Sequence, residues 1–133
     1  MQIDSQSIFL TNITYDDTAD IVRWRNQKFI QEYLELPYVP AECQHNAHMF
    51  YIKLKDLDQR TQMLDYLRKK GIYAVFHYVP LHSSKAGKEF VEFVGDDIYT
   101  TKESDRLLRL PMFYGLSMEL SDYVIDCIHG YFR

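Results

Sequence analysis

The sequence is poor in cysteine, in long apolar runs and in positive charge. Its two cysteines, Cys43 and Cys127, give no disulfide framework and no CxxC pair, which favours a reducing compartment. No stretch approaches the roughly 20 apolar residues needed to cross a bilayer, and the N-terminus lacks the positive start and apolar run of a signal peptide. A formal net charge of -4 argues against general electrostatic binding to nucleic acid. These absences predict a cytoplasmic protein with no nucleic-acid or membrane partner.

Internal repeats and low-complexity tracts are also missing, and the remaining composition is that of a globular protein. The 133 residues suffice for one compact core, and 47% hydrophobic with 26% charged residues fit a soluble folded domain. Aromatic residues reach 15% of the chain. Large amphipathic side chains at this frequency often line interfaces and pockets as well as cores.

The first part of the chain predicts a strand followed by a helix. Apolar and polar residues alternate over residues 7–14, and apolar residues keep roughly helical spacing over residues 16–34. Pro37 ends this helix and opens an extended linker. We therefore expect a boundary near residue 36, between an N-terminal strand–helix segment (1–36) and a domain of residues 37–133.

The second part alternates strands and helices. In order, the pattern predicts a strand over 47–54, a helix from Asp56 or Asp58 to about Lys70 ended by Gly71, and a buried strand over 72–78. A loop over 80–97 follows, then a helix preceded by Thr100 and Thr101 with Leu107 and Leu108 facing inward, a short strand over 110–113 and a final helix capped by Ser117. The buried stripe of the final helix is expected at Tyr123, Val124, Cys127, Ile128, Tyr131 and Phe132. The order predicts an α/β fold of the two-layer α+β type, a small sheet with helices packed on one face.

Four ordered motifs in this second part resemble one known family. They are CQHNAHMFYIKL (43–54), LRKKGI (67–72), HYVPLH (77–82) and SDRLLRLPMFYGLS (104–117), and the terminal helix segment YVIDCI (123–128) also fits. Together they resemble the C-terminal small domain of DegT/DnrJ/EryC1-type nucleotide-sugar aminotransferases, which depend on pyridoxal phosphate (PLP). The match is closest to enzymes that aminate a dTDP-4-keto-6-deoxyhexose for cell-surface glycans. Residues 1–36 instead look like the opening strand and helix of a GNAT acetyltransferase, without its glycine-rich acetyl-CoA loop.

The resemblance implies a substrate site and no complete cofactor site. In the family, the Schiff-base lysine, the carboxylate facing the pyridine nitrogen and the phosphate cup lie in a large N-terminal domain, and none of their motifs occurs here. Lys85 is interpreted as a solvated loop lysine. By resemblance, His77, Tyr78 and His82 lie in the loop that closes over the nucleotide sugar. The alternative is structural, with His77 at a strand end and Tyr78 packed in the fold, and both interpretations stay open.

Two further groups of side chains suggest other roles. Cys43, His45 and His48 suggest zinc, but a structural zinc site needs four well-placed ligands and no matching downstream pair follows. We therefore predict no metal site. The carboxylates near the loop and the helix start are interpreted as charges that stabilise a helix N-terminus; they are Asp96, Asp97, Glu103 and Asp105.

The sequence therefore predicts a truncated or fused aminotransferase small domain, derived from an enzyme of lipopolysaccharide or O-antigen biosynthesis and inactive alone. We expect no catalytic or cofactor-binding residue in the chain itself. The partners would be a second copy or a large domain on another chain, with a nucleotide sugar as ligand. The alternative is a non-catalytic domain that self-associates or binds a partner, because an apolar face without its large domain should be buried by oligomerisation. An acetyl-transfer role for the first 36 residues is a weaker third option.

Overall fold

The computed structural model describes residues 33–38, 40–43 and 48–133. In chain order the elements are β1 (Phe50–Lys53), α1 (Leu57–Lys69), β2 (Val75–Phe76), a 3-10 turn (Leu81–Ser83), α2 (Lys85–Phe90), α3 (Thr100–Arg106), β3 (Leu107–Leu110) and α4 (Met118–Tyr131). Among these described elements, no helix is long and apolar enough to cross a membrane. The predicted strand over 7–14, most of the helix over 16–34 and the acetyltransferase-like segment lie outside the described residues.

The three strands form an antiparallel sheet in the order β1–β3–β2, so the last strand in sequence is the central one. Phe50 pairs with Leu110 and Ile52 with Leu108. These four side chains are buried and point to one face, because side chains alternate along a strand. The intervening residues of β1 and β3 are half-buried on the other face. The predicted α/β class, a small sheet with helices, is confirmed.

Helix α1 begins and ends where its capping residues predict. The Asp56 side chain accepts a hydrogen bond from the backbone N–H of Gln59 at 2.9 Å. At the other end Gly71 adopts a φ of 76°, a left-handed conformation that glycine enters without a Cβ clash. Met63 and Leu67 are fully buried in the core, and each contributes about 1.5–3 kcal/mol through its removal from water.

Helix α4 closes the core from the C-terminal side. The Ser117 hydroxyl accepts from the backbone N–H of Leu120 at 3.3 Å, as the predicted cap requires. Val124, Ile125, Cys127 and Ile128 are buried, which confirms the centre of the predicted stripe. Three members of that stripe differ: Tyr123 is 46% exposed, and Tyr131 and Phe132 are only partly buried at the edge of the core.

Three predicted elements differ from the structure. The run over 72–78 was expected to form a buried strand, but only Val75–Phe76 pairs with β3, and both residues are exposed at the sheet edge. The expected strand over 110–113 lies instead at Leu107–Leu110. The helix before it stops at Arg106, whose carbonyl accepts from the Leu54 N–H at 2.9 Å and starts the ladder with β1. The expected loop over 80–97 contains the 3-10 turn and α2.

The residues just before the predicted boundary pack into this same sheet and core. Leu34 is buried in the core, and Glu35 exchanges two backbone hydrogen bonds with Lys53 at 3.2 and 3.0 Å. The Glu35 side chain also joins an ion network with Lys53, Glu103 and Arg106, in which Lys53 Nζ lies 2.7 Å from Glu103 and 3.6 Å from Glu35. This four-residue ion network ties the segment over 33–38 to β1 and α3.

Candidate functional site

The residues predicted to bind substrate lie in the segment that follows β2. This segment runs from His77 through the 3-10 turn to α2. His77 contacts Arg109 of the central strand, and the backbone of the next residue contacts Ser104 of α3. The sheet and α3 therefore hold the segment between them.

His77 is half-buried against the central strand. The Nη1 atom of Arg109 lies 3.0 Å from His77 Nδ1. Partial burial lowers the pKa of His77, and the positive charges of Arg109 and His48 lower it further. The imidazole is therefore biased toward its neutral form, which can both donate and accept a hydrogen bond.

Tyr78 combines a fixed backbone with an exposed side chain. Its carbonyl oxygen accepts a hydrogen bond from the Ser104 hydroxyl, and its ring contacts the ring of His77. The residue is 68% exposed. A phenol presented in this way can donate or accept a hydrogen bond with a ligand that lies over the segment.

His82 belongs to a separate cluster at the start of α3. Its Nε2 lies 2.9 Å from Asp97 Oδ2, and its ring packs on Phe93 with centroids 4.4 Å apart. Asp97 also accepts hydrogen bonds from the hydroxyl and the backbone N–H of Thr101. These two bonds, and after them the contact with His82, lower the pKa of Asp97, so the carboxylate stays ionised and orients the imidazole.

The turn that carries His82 is locked by a close backbone contact. Ser84 caps α2 by accepting from the Gly87 N–H at 2.9 Å, and its own hydroxyl donates to the Leu81 carbonyl at 2.7 Å. Gly87 is buried, and a Cβ at that position would lie 1.6 Å from the same carbonyl oxygen. Only glycine therefore fits where α2 packs against the 3-10 turn.

An apolar groove of about 520 Å³ lies between the end of β3 and the start of α4. Aromatic side chains of Tyr73, Phe113 and Tyr123 contribute to its walls, and among its described lining residues Arg109 is the only charged one. A second pocket of about 500 Å³ lies between residues 34–38 and β1. Arg109 borders both the apolar groove and His77, so it links the two features.

The structure brings His77 and Tyr78 together and places His82 elsewhere. Within the described ranges, no hydrogen bond joins His82 to either residue. Sequence reasoning does not identify Arg109, and it interprets Asp97 only as a charge near a helix start. The sequence feature that could have identified Arg109 is its position as the one charged residue in the otherwise apolar strand sequence LLRL.

The described lysines do not suit a Schiff-base role. Such a lysine must be neutral enough to attack, which requires desolvation or a cationic neighbour. The hydrogen bond and charge of Glu103 instead raise the pKa of Lys53. Lys85 and the other lysines of the described part are exposed. Within residues 48–133, each lysine is therefore either exposed or paired with a carboxylate.

The residues that suggest zinc do not form a cluster in the described part of the chain. Cys43 and His48 are exposed, and His45 lies outside the described residues. Within the described ranges, no group of three His, Cys, Asp or Glu side chains is arranged to hold a metal ion.

Comparison with known proteins gives one consistent result. The model of the DegT/DnrJ/EryC1/StrS aminotransferase family matches residues 20–129. A DegT DnrJ EryC1 StrS aminotransferase from Brucella abortus aligns with 26% identity and a TM-score of 0.69, over 84% of this chain and 30% of that chain. The aminotransferase TlmJ from Streptoalloteichus hindustanus aligns with 22% identity and a TM-score of 0.73, over 86% of this chain and 30% of that chain. Spr1654 from Streptococcus pneumoniae, solved in its PLP form, aligns with 24% identity and a TM-score of 0.64, over 84% and 29%.

Proposed function

The chain belongs to the DegT/DnrJ/EryC1/StrS aminotransferase family, and from this premise we propose that residues 37–133 act as the small domain of a nucleotide-sugar aminotransferase. In this role His77, Tyr78 and His82 contact the sugar nucleotide. The fold agrees with that of the solved aminotransferases, although the chain spans only about 30% of their length. The activity of the whole enzyme is therefore part of the proposal.

The proposal assigns the cofactor to a different part of the enzyme. The family uses PLP, which acts as the electron sink of transamination when bound. Because the described lysines are exposed or ion-paired, we propose that a large domain outside residues 37–133 supplies the Schiff-base lysine and the phosphate site, and that these residues are inactive alone. They orient the sugar and help to exclude water. The resemblance to enzymes acting on a dTDP-4-keto-6-deoxyhexose further suggests a cytoplasmic step in the synthesis of a cell-surface polysaccharide such as lipopolysaccharide.

One observation carries the substrate-site proposal: His77 is held by Arg109 beside an apolar, partly aromatic groove. A neutral imidazole can bond a sugar oxygen, and an aromatic wall can pack against a base or the apolar face of a sugar ring. Tyr78 adds an exposed phenol next to the imidazole. His82, fixed by Asp97, would contact a more distant part of the same ligand.

Titration of the purified chain with dTDP-4-keto-6-deoxyglucose, followed by NMR and calorimetry, tests this site. We expect shifts at the amides of residues 77–82. We also expect affinity to fall roughly fivefold in His77→Ala, the value of one hydrogen bond of about 1 kcal/mol. Lys69→Ala, an exposed change on α1, is the control and should leave affinity unchanged. Unchanged affinity in both His77→Ala and His82→Ala would remove the site assignment.

A separate measurement addresses the assignment of the cofactor. The chain is mixed with PLP, dialysed and treated with borohydride, and any fixed lysine adduct is mapped by mass spectrometry. We expect no stable adduct. An adduct at a single lysine that survives dialysis would contradict the proposal that a large domain outside these residues holds the cofactor.

A non-catalytic, self-associating role is the second candidate, and exposed apolar residues favour it. Val75 and Phe76 are 50% and 45% exposed on the edge strand, and Val75 also lines the apolar groove. Such residues are usually buried by a partner. Sedimentation across a wide concentration range should reveal a dimer, and a monomer at all concentrations would count against this role.

A further inference from the structure

The central strand places one cation in the middle of the sheet face that does not carry the core. Arg109 lies opposite Tyr51 of β1 on one side and opposite Val75 of β2 on the other. Its Nη1 is 3.0 Å from His77 Nδ1. In the described part of the chain, no carboxylate lies within ion-pair distance of this guanidinium. No described carboxylate therefore fixes the position of the Arg109 side chain beside His77.

The chemistry of the two groups fixes the position of the proton on His77. A guanidinium carries five N–H donors and no acceptor, and it stays protonated in proteins. The Nδ1 atom of His77 must therefore be the acceptor of this hydrogen bond. A neutral imidazole with an unprotonated Nδ1 carries its hydrogen on Nε2.

We propose that Arg109 is a positioning residue, which holds His77 as the neutral Nε2–H tautomer so that this imidazole donates a hydrogen bond to an uncharged oxygen of the ligand. The proposal rests on the substrate-binding role assigned to His77 above. It specifies that role further: the ligand atom facing Nε2 is an acceptor, such as the carbonyl or hydroxyl oxygen of a sugar, and not a group that requires an imidazolium.

The surroundings of His77 support the neutral form. Arg109 approaches from β3 with a permanent positive charge, and His48 approaches from the chain before β1. The ring of Tyr78 packs on the imidazole without charge. Protonation of Nδ1 would replace the accepted hydrogen bond by two opposed N–H donors. Partial burial, and after it electrostatic repulsion from Arg109 and His48, lower the pKa of His77, which agrees with the tautomer deduced from the contact.

Long-range proton–nitrogen NMR on the full chain, labelled with ¹⁵N-histidine, tests the tautomer without any ligand. For the unmodified protein we expect the Nε2–H form at neutral pH and a His77 titration below the ordinary value of 6.5. In Arg109→Met, which removes both donor and charge, the titration should move upward and the two tautomers should mix. In Arg109→Gln, which keeps an N–H donor, the Nε2–H form should persist while the titration still moves upward.

Arg68→Met is the matched control, because it removes one exposed cation at the end of α1. It should leave the His77 spectrum unchanged. An Nδ1–H tautomer in the unmodified protein would overturn the proposal, and so would a His77 titration and tautomer that are unaffected by Arg109→Met. If Arg109→Met fails to fold, the unmodified protein and Arg109→Gln still decide the question.

Binding of dTDP-4-keto-6-deoxyglucose then separates the two proposals. Between about pH 6 and 8, affinity should be nearly constant for the unmodified protein. Arg109→Met should bind up to about twofold more weakly at pH 8, where the Nδ1–H tautomer takes part of the population, and should recover toward pH 6, where the imidazolium again carries a hydrogen on Nε2. Equal pH profiles in the two proteins would count against the positioning role. The Nε2–H tautomer without any binding of the sugar nucleotide would instead refute the proposed function and leave the tautomer assignment intact.

Discussion

Replacing Gly87 by alanine tests the backbone contact that shapes the segment carrying His82. Gly87 lies inside α2, where alanine is ordinarily favoured over glycine by about 1 kcal/mol. Helix propensity alone therefore predicts a more stable protein. The structure predicts the opposite sign, because the new Cβ would lie 1.6 Å from the Leu81 carbonyl oxygen and 2.6 Å from its carbon.

The size of the effect follows from the atoms that clash. Both are backbone atoms, so they cannot rotate away as a flexible side chain would, and real Cβ atoms essentially never approach within 3.0 Å of such neighbours. Overpacking of this kind costs roughly 1–3 kcal/mol, which exceeds the gain in propensity. Most of α2 is exposed. We therefore expect the clash to cause a local opening, in which α2 separates from the 3-10 turn, and not global unfolding of the domain.

Amide hydrogen exchange measures this local opening. The N–H groups of Lys88 and Val91 donate to Ser84 and Gly87 carbonyls, each at 2.9 Å, and report on α2 directly. A local loss of roughly 1–3 kcal/mol should speed their exchange roughly 5- to 150-fold. The NMR signals of His82 should shift as well, because a displacement of the turn moves the His82 imidazole relative to Asp97.

Gly130→Ala provides the matched control. Gly130 lies in α4, and a Cβ added there would meet only the flexible phenol end of Tyr66, at 3.1 Å. This change should be neutral or stabilising by up to about 1 kcal/mol. Unchanged or slower exchange in Gly87→Ala, together with an unshifted His82 signal, would refute the reasoning about the locked turn.

Three further predictions concern stability. Hydrogen bonds and charges from their cationic partners lower the pKa values of Glu35 and Glu103 below the ordinary 4.5. The stability they confer is therefore fully present above that pH and is lost below it, as the pH falls through the lowered values. Because the network is partly exposed, the loss in urea unfolding should be about 1 kcal/mol or less per pair. Leu67→Ala empties a fully buried position and should cost about 2–5 kcal/mol in the free energy of unfolding. Ser117→Ala removes the N-cap of α4 and should lower the melting temperature through a loss of about 1 kcal/mol.

Each of these measurements has an internal control. At neutral pH, high salt should reproduce part of the loss in the free energy of unfolding that is seen at low pH. A free energy of unfolding that depends on neither pH nor salt would contradict the ion-network argument. Leu57→Ala, at a position 42% exposed in the same helix as Leu67, should cost far less than the buried change. Ser117→Asp keeps an oxygen acceptor and should restore the cap, so equal losses in both Ser117 variants would contradict the capping argument.

The helices could be predicted from sequence because their limits are set locally. Asp56, Gly71 and Ser117 act on the backbone within a few residues, so α1 and α4 begin and end where the residue types indicate. Strands depend on partners far along the chain. The apolar run over 72–78 contains nothing that limits pairing to two residues, and only in the fold do Val75 and Phe76 alone pair with β3.

The same distinction between local signals and long-range contacts applies to the candidate site. The motif HYVPLH could be assigned by resemblance, and the structure places His77 and Tyr78 in contact. Arg109 could not be assigned, because its approach to His77 exists only once β3 lies between the other two strands. Likewise, the separation of His82 depends on where Asp97 and α3 are placed, which no local pattern in the loop encodes.

The strand order has a consequence for how the domain is made. Among the described strands, β1 and β2 do not pair with each other; both pair with β3, which comes last, and β1 has in addition the bridge between Glu35 and Lys53. During translation neither strand can form its described ladder with β3 until residues 107–110 have left the ribosome, so this part of the sheet assembles late in synthesis. A ribosome-bound or prematurely terminated product that ends before Leu107 would therefore lack this three-stranded sheet entirely, which makes assembly of this layer all-or-none with respect to chain length.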